Sequence, residues 1–252
     1  MEKILDVKDL CKTYIVNKRQ INVLRNVSFS VNKGEMVAIM GPSGSGKSTL
    51  LYSVSGMDKP TAGDVTFCGR NITSLNDNEL AELRLDGMGF IFQQMYMMKN
   101  LSILDNIILP AVKSEKNKMT KKEIAEKGAA LMKKLGIEGI ANNDINEVSG
   151  GQLQRACICR SLINSPEVVF ADEPTGALNR TSSDEVMEEL KKLNDEGTTI
   201  MLVTHDAKVA AKCTRVLFIV DGNIKDEYNI NKEHSLRENE RDLNNWLLEM
   251  GF

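Results

Sequence analysis

The apolar positions of the chain repeat with two different periods, which distinguish predicted strands from predicted helices. Alternating apolar and polar residues predict strands over residues 4–9 and 23–31. Met36–Met40 is instead an unbroken apolar run, which is typical of a strand buried on both faces. Further short strands are predicted at 64–67, 71–72, 88–92, 168–171, 199–203 and 216–220. The pattern therefore favours an α/β fold built around a buried central strand.

Helical spacing dominates the middle and the end of the chain. The segment from about 94 to 159 is rich in Lys, Glu, Met and Leu, and a helix over 120–135 has a solvated, lysine-rich face. Helices are also predicted at 48–54, 78–85 and 182–194, the last ended by Gly197. We expect one domain over residues 1–230, with a helical insert at about 94–159 and a C-terminal helical tail at 231–252.

Composition and charge narrow the class of protein. The chain has 252 residues, 42% of them hydrophobic, which suits a globular protein with a sizeable core. Its net charge of −3 argues against sequence-independent binding of nucleic acid, so no nucleic-acid partner is expected. No apolar run reaches the ~20 residues that span a bilayer, and the first ten residues lack a signal-peptide pattern. The five cysteines have no paired spacing, so we interpret them as buried thiols of a reducing compartment.

A glycine-rich loop follows the buried strand and precedes a predicted helix. Its sequence, GPSGSGKST, fits the pattern GxxxxGK[ST]. Glycines let backbone N–H groups face a phosphate chain, and the helix N-terminus adds partial positive charge. Lys47 would reach the β- and γ-phosphates, and the Ser48 hydroxyl would bind Mg²⁺. The predicted nucleotide contacts in this phosphate loop (residues 41–49) are Gly41, Ser43, Gly44, Ser45, Gly46, Lys47, Ser48 and Thr49.

Two adjacent carboxylates, Asp172 and Glu173, end the apolar run at 168–171. The first is placed to hold Mg²⁺ directly or through water. The second can orient or deprotonate an attacking water molecule. Such a pair alone could be a helix cap, but together with a phosphate loop it indicates Mg²⁺-dependent hydrolysis of ATP.

The segment VSGGQ at residues 148–152 resembles the LSGGQ signature of ABC ATPases, with valine in place of leucine. Other residues match the family in chain order. Tyr14 resembles the aromatic residue that stacks on adenine, Gln93 the glutamine between core and insert, and His205 the switch histidine at the γ-phosphate. The resemblance covers roughly residues 1–230. It implies a P-loop NTPase (RecA-like) core, an antiparallel β subdomain and an inserted α-helical signature subdomain.

The resemblance also implies a dimer. In this family the signature of one copy closes over the ATP held by the phosphate loop of the other, so two ATP molecules lie between two copies. The implied cofactors are ATP and Mg²⁺. By this match the catalytic residues are Glu173, His205 and Gln93, the metal ligands are Ser48, Gln93 and Asp172, and the signature contacts to ATP are Ser149, Gly150, Gly151 and Gln152.

One residue departs from the family pattern. The family usually has Ala-Leu-Asp after the glutamate-proline segment, whereas this chain has Ala177, Leu178 and Asn179. Asparagine keeps the shape of aspartate and loses its charge. In the family this loop crosses the dimer interface, so we expect an active ATPase with an altered rate or coupling.

Several segments resemble one branch of the family, which holds lipoprotein-release, macrolide-export and bacitracin-type peptide-resistance ATPases. They lie at 89–93, 101–110, 171–178 and 204–206. This branch implies an integral-membrane permease as partner and a peripheral location on the cytoplasmic side of the membrane. Met95, Met97 and Met98 lie where the family docks the permease, although ordinary core methionines are an equal interpretation.

The tail at 241–252, which includes Trp246, resembles the peptide-resistance ATPases of Gram-positive bacteria. We therefore expect a subunit that powers antimicrobial-peptide export or resistance. A lipoprotein-release or cell-division ATPase of the same branch is the alternative. A soluble ABC ATPase that acts on DNA or ribosomes is disfavoured, because the insert is too short for a coiled coil and the chain has one cassette.

Overall fold

The computed structural model describes residues 2–252, which form two sheets surrounded by helices. The strands are β1 (Lys3–Val16), β2 (Arg19–Asn32), β3 (Met36–Met40), β4 (Ala62–Phe67), β5 (Arg70–Asn71), β6 (Met88–Phe92), β7 (Val168–Asp172), β8 (Thr199–Val203), β9 (Arg215–Val220) and β10 (Asn223–Asn229). The helices are α1 (Lys47–Val54), α2 (Asp77–Gly87), α3 (Ile103–Lys113), α4 (Lys121–Lys134), α5 (Gly150–Leu162), α6 (Arg180–Asp195), α7 (Ala207–Ala210) and α8 (Leu236–Glu249).

The larger sheet has the strand order β10-β9-β3-β8-β7-β6. All of its neighbours pair in parallel except β9 and β10. The five residues of β3 are buried, as their unbroken apolar run predicts. Asp172 pairs with Phe92 on one side and Val203 on the other, so three strands end at the same level. The predicted α/β class is confirmed.

The smaller sheet is antiparallel, with the order β2-β1-β4-β5. Its first two strands have 14 residues each and are longer than the sequence pattern predicts. The hairpin turn at Asn17 and Lys18, both with positive φ, lies beyond the core, where Ile15 is 75% exposed. Apolar and polar residues do not alternate there, because neither face of the hairpin is buried. Strand β10 was not predicted for the same reason, since most of its residues are exposed.

The predicted helical character of residues 94–102 is wrong. This segment is irregular, and α3 begins only after Ser102, whose side chain accepts the N–H of Asp105. Asn106 is buried and explains the difference: its amide accepts the N–H of Met98 and donates to the carbonyls of Met98 and Leu101. These side-chain bonds satisfy backbone groups that a helix would otherwise pair internally. The division into a domain, an insert and a tail stays a prediction.

The last helix, α8, packs against the apolar core on one face of the larger sheet. Ser235 and Glu238 form a capping box at its start. Leu243 and Leu247 are buried, and the Trp246 ring meets Phe218 edge-on with centroids 5.7 Å apart. The tail is therefore held by apolar contacts with the central sheet. Over residues 2–252 no helix is both long enough and apolar enough to cross a membrane.

Removing a buried side chain from α8 tests this packing. We expect Leu243→Ala to lower the free energy of unfolding by about 2–5 kcal/mol, because a fully buried leucine leaves a cavity. Leu248→Ala on the same helix is the matched control, since Leu248 is 70% exposed and surface changes stay within about 0.5 kcal/mol. Urea denaturation measures both. Equal effects of the two variants would contradict the docked position of α8.

Candidate nucleotide site

The site predicted from the sequence lies at the carboxyl ends of four parallel strands. β3 leads into the phosphate loop, β6 into Gln93, β7 into Asp172 and Glu173, and β8 into His205. Ligands of open α/β sheets bind in the crevice outside these strand ends. The structure therefore brings together residues that are far apart in sequence.

The phosphate loop has a backbone that only glycine tolerates at two points. Gly41 has φ +150°, and a Cβ there would lie 2.0 Å from the carbonyl oxygen of Ile219. Gly46 has φ +103°, and a Cβ there would lie 3.0 Å from the carbonyl oxygen of Val23. Gly46 is also the N-cap of α1, and no side chain caps that helix. Uncapped N–H groups at a helix start favour an anion such as phosphate.

Lys47 lies at the first position of α1. Its ammonium group donates to the carbonyls of Gly41 and Pro42, at 2.9 Å each, so it lies across the loop. Burial lowers the pKa of Lys47, and the charges of Glu173 and Asp172 oppose that shift. The lysine is thus a cation placed between the phosphate loop and the two carboxylates.

The Asp172 carboxylate is held by two hydroxyl groups of α1. Ser48 Oγ donates to Oδ1 at 2.9 Å, and the Tyr52 hydroxyl donates to Oδ2 at 2.6 Å. Ser48 and Tyr52 are four residues apart, so they lie on the same face of the helix. Both oxygens of the carboxylate therefore have a donor, and its orientation is fixed.

Glu173 has a strained backbone, and its side chain lies close to His205. Its φ is +46°, a region that costs a non-glycine residue of order 1–3 kcal/mol. Its N–H donates to the carbonyl of Val203 at 3.1 Å, and Oε2 lies 3.4 Å from His205 Nδ1. A Cβ at Gly176 would lie 2.9 Å from Gln93 Nε2 and 3.1 Å from Glu173 Oε2. Gln93, Glu173 and His205 therefore share one crevice.

Tyr14 lies beside the phosphate loop, close to Thr49. Its hydroxyl bonds to the Asp58 carboxylate, and the Lys12 ammonium lies 4.9 Å from its ring centre. Burial and then Asp58 raise the pKa of Tyr14. An adenine ring that stacks on Tyr14 would use the ring face opposite Lys12.

The signature segment (residues 148–152) begins α5. Ser149 is the N-cap of this helix, and Ser149 and Gln152 form a reciprocal capping box. Gly150 faces Leu178, and a Cβ at Gly151 would lie 3.0 Å from Ser182 Oγ. Within residues 2–252, no hydrogen bond or ion pair joins the signature segment to the phosphate loop of the same chain. In one copy, the signature segment and the phosphate loop are therefore not joined by contacts of either kind.

Comparisons with known proteins identify the family. The ABC transporter family model matches residues 24–176. The chain belongs to the ABC transporter family, as an ATP-binding domain. It is 40% identical over 224 residues to the macrolide export ATP-binding/permease protein MacB of Mannheimia succiniciproducens. That alignment covers 89% of this cassette and 34% of MacB, so the cassette spans about a third of that relative.

Two shorter relatives match over nearly their whole length. The cassette is 41% identical to the lipoprotein-releasing system ATP-binding protein LolD of Wigglesworthia glossinidia brevipalpis, covering 88% of this chain and 96% of LolD. It is 40% identical to the ABC transporter ATP-binding protein MJ0796 of Methanocaldococcus jannaschii, with 89% and 96% covered. The predicted membership of the branch that includes macrolide export and lipoprotein release is confirmed.

Solved structures of MJ0796 share the fold of this cassette. Its dimeric structure matches with a TM-score of 0.84 and 39% identity, covering 90% of this chain and 99% of that one. A dimeric post-hydrolysis state of MJ0796 with ADP and phosphate matches with the same TM-score at 38% identity over the same shares. The predicted P-loop NTPase fold is confirmed. The cassette is homologous to ATPases that bind and hydrolyse ATP.

The donors at the strand ends fit a magnesium–nucleotide complex. The Ser48 hydroxyl and the Asp172 carboxylate are hard oxygen ligands of the kind that Mg²⁺ prefers. Among the described residues, no group of three or more His, Cys, Asp or Glu side chains could hold a metal alone. That donor set suits an ion that takes its remaining ligands from phosphate and water.

Sequence reasoning missed two residues near the site. Tyr52 binds Asp172, and its four-residue spacing from Ser48 was the signal. Gln154 is buried on α5 and donates to the carbonyl of Pro174 at 2.7 Å, so it joins the signature helix to the turn after Glu173. A glutamine on a helix face that is otherwise buried marks such a contact.

Proposed function

We propose that the cassette binds Mg²⁺-ATP at the carboxyl edge of its large sheet and hydrolyses it. The juxtaposition of the phosphate loop, Lys47 and the doubly held Asp172 carboxylate carries this proposal. The loop N–H groups and Lys47 would bind the β- and γ-phosphates. Ser48, Asp172 and Gln93 would hold the metal, which when bound offsets the negative charge of the phosphates.

Three side chains would serve the hydrolysis step itself. Glu173 Oε2 would accept a proton from the attacking water, because this carboxylate lies in the crevice beside the metal-binding side chains. His205, 3.4 Å from that carboxylate, would contact the γ-phosphate and fix the direction of Glu173. Gln93 would help to order the same water, because its side chain lies beside Glu173 near Gly176.

Replacing the proposed base separates binding from hydrolysis. We expect Glu173→Gln to lower ATP turnover about 10²–10⁴-fold, the contribution of a general base. ATP affinity should be retained, because the amide has the same shape and the phosphate contacts are untouched. Glu196→Gln, an exposed carboxylate at the end of α6, is the control. For both variants, phosphate release measures turnover, and binding of a fluorescent ATP analogue measures affinity. Full turnover in Glu173→Gln would overturn the assignment.

We propose that the working form is an ATP-sandwich dimer with a second copy. Within residues 2–252 no hydrogen bond or ion pair joins the signature segment to the phosphate loop of its own chain, which supports this proposal, as does the dimer formed by MJ0796. Ser149 and the N–H groups of Gly150 and Gly151, at the start of α5, would face the γ-phosphate held by the partner copy. Gln152 holds the Ser149 turn in place.

Asn179 tests the coupling across this dimer. Its side chain accepts the Ser182 N–H at 2.9 Å and caps α6. Aspartate caps helices as well as asparagine, so Asn179→Asp should leave stability unchanged. We expect the added charge to change the ATPase rate or its cooperativity in ATP. Steady-state ATPase curves and thermal unfolding check this. Identical curves for both proteins would show that the missing charge has no role.

We propose an integral-membrane permease as the partner of the cassette, at the cytoplasmic side of the membrane. The name of MacB joins an ATP-binding part to a permease in one protein. In this chain a mainly apolar groove of about 370 Å³ lies beside Gln93. Its lining includes Met57, Phe92, Tyr96 and Pro110. Tyr96 is 66% exposed, which makes the groove accessible to a partner helix.

A charge placed in the groove tests this docking surface. We expect Tyr96→Glu to abolish co-purification of a permease from detergent-solubilised membranes, because the carboxylate would be desolvated by the docked helix. Basal ATPase activity should remain. Leu236→Glu, at an exposed position at the start of α8, is the control and should retain the permease. Retention by Tyr96→Glu would place the partner elsewhere.

We propose that the cassette powers antimicrobial-peptide export or resistance, because its tail resembles that of the peptide-resistance ATPases. The LolD relative keeps lipoprotein release as the second candidate. The co-purified permease separates the leading proposal from a cell-division partner of the same branch. A permease with a large extracellular domain and more than four spans favours peptide resistance, whereas one with four spans indicates a cell-division partner. Sensitivity of a deletion strain to peptide antibiotics then tests the leading proposal.

A further inference from the structure

Tyr52 contacts the site described above and has no role in the family pattern. It lies on α1, one turn after Ser48, and its hydroxyl donates to Asp172 Oδ2 at 2.6 Å. The ring is half-buried and packs against the apolar core between the two sheets. Its carbonyl accepts from the N–H groups of Met57 and Asp58 and from the Ser55 hydroxyl. Main chain and side chain are both held, so the phenol is a fixed donor.

The two donors of Asp172 differ in what a metal would require of them. Ser48 Oγ is a proposed metal ligand, and a metal-bound hydroxyl turns its lone pair to the ion. The Ser48 hydroxyl would therefore have to serve the metal through a lone pair and Asp172 Oδ1 through its proton at the same time. Tyr52 bonds to the other oxygen, Oδ2, and has no metal to accommodate. Its bond can persist whether or not the metal is bound.

We propose that Tyr52 is a positioning residue that holds Asp172 in the orientation that Mg²⁺ requires. The inference rests on the proposed Mg²⁺-ATP site. Hydrogen-bonded groups behind metal ligands fix the direction of their lone pairs and raise metal affinity.

A purely structural role would give a different pattern of effects. If Tyr52 only filled space beside α1, the phosphate loop would loosen in its absence, and nucleotide would bind less well with or without metal. If Tyr52 orients Asp172, metal-free nucleotide binding would be unchanged and only the metal dependence would shift. Phenylalanine keeps the ring and removes the one hydroxyl, so Tyr52→Phe separates the two cases.

The test is a Mg²⁺ titration of nucleotide binding, which needs no turnover. A fluorescent ADP analogue is bound to the whole chain in EDTA and then with increasing Mg²⁺. For Tyr52→Phe we expect binding in EDTA within about twofold of wild type. The Mg²⁺ concentration for half-maximal enhancement should rise about tenfold, as it does when other groups that hydrogen-bond to metal ligands are removed. Tyr228→Phe is the matched control, since Tyr228 packs on Trp246 away from the site.

A double-mutant cycle adds a second line of evidence. In an Asp172→Asn background, Tyr52→Phe should cause no further change in the Mg²⁺ dependence, because the carboxylate it orients is gone. The inference is overturned if Tyr52→Phe leaves the Mg²⁺ titration unchanged, or if it weakens binding equally in EDTA. If wild type itself shows no Mg²⁺ enhancement, the proposed metal site fails first, and this inference fails with it.

Discussion

The common level at which four parallel strands end is the constraint on which the candidate site depends. β3, β6, β7 and β8 pair in register, and the residue after each strand enters the same crevice. Hydrogen bonds of the sheet set this alignment, because a slip of one residue would turn every side chain to the opposite face. Burial of β3 and β8 on both faces makes such a slip costly. The fold thereby brings together the proposed catalytic groups, which no local sequence rule could place side by side.

Within that crevice, the charged groups are held by neutral or backbone partners. Lys47 is bound by carbonyls, and Asp172 by two hydroxyls. Each of these contacts leaves the charge of the group unpaired and available for a charged ligand. Glu173 has a strained φ, and Gly41 has a backbone geometry that only glycine tolerates. Both features lower local stability at positions that form the site. The large apolar core beneath the sheet offsets that loss.

Much of this arrangement could be read from the sequence, because several of its causes are local. The buried run of β3, the glycines of the phosphate loop and the carboxylates after β7 all have patterns with direct physical meaning. Longer-range features had no such pattern. The irregular segment before α3 depends on one buried side chain, Asn106, and the far ends of β1 and β2 are paired without being buried. For the contact of Tyr52 with Asp172, the four-residue spacing from Ser48 was the one local signal, and the contact itself forms only once α1 lies against β7.

Hydrogen–deuterium exchange of the Glu173→Gln variant with and without Mg²⁺-ATP tests most directly whether the strand ends form one site. The account predicts that exchange slows together in peptides covering residues 41–49, 91–95, 171–176 and 203–206, since one ligand would contact all four strand ends. Protection of residues 148–152 should require protein concentrations at which a second copy binds. Protection confined to residues 41–49 would contradict the account, because the loop would then bind phosphate without the rest of the crevice.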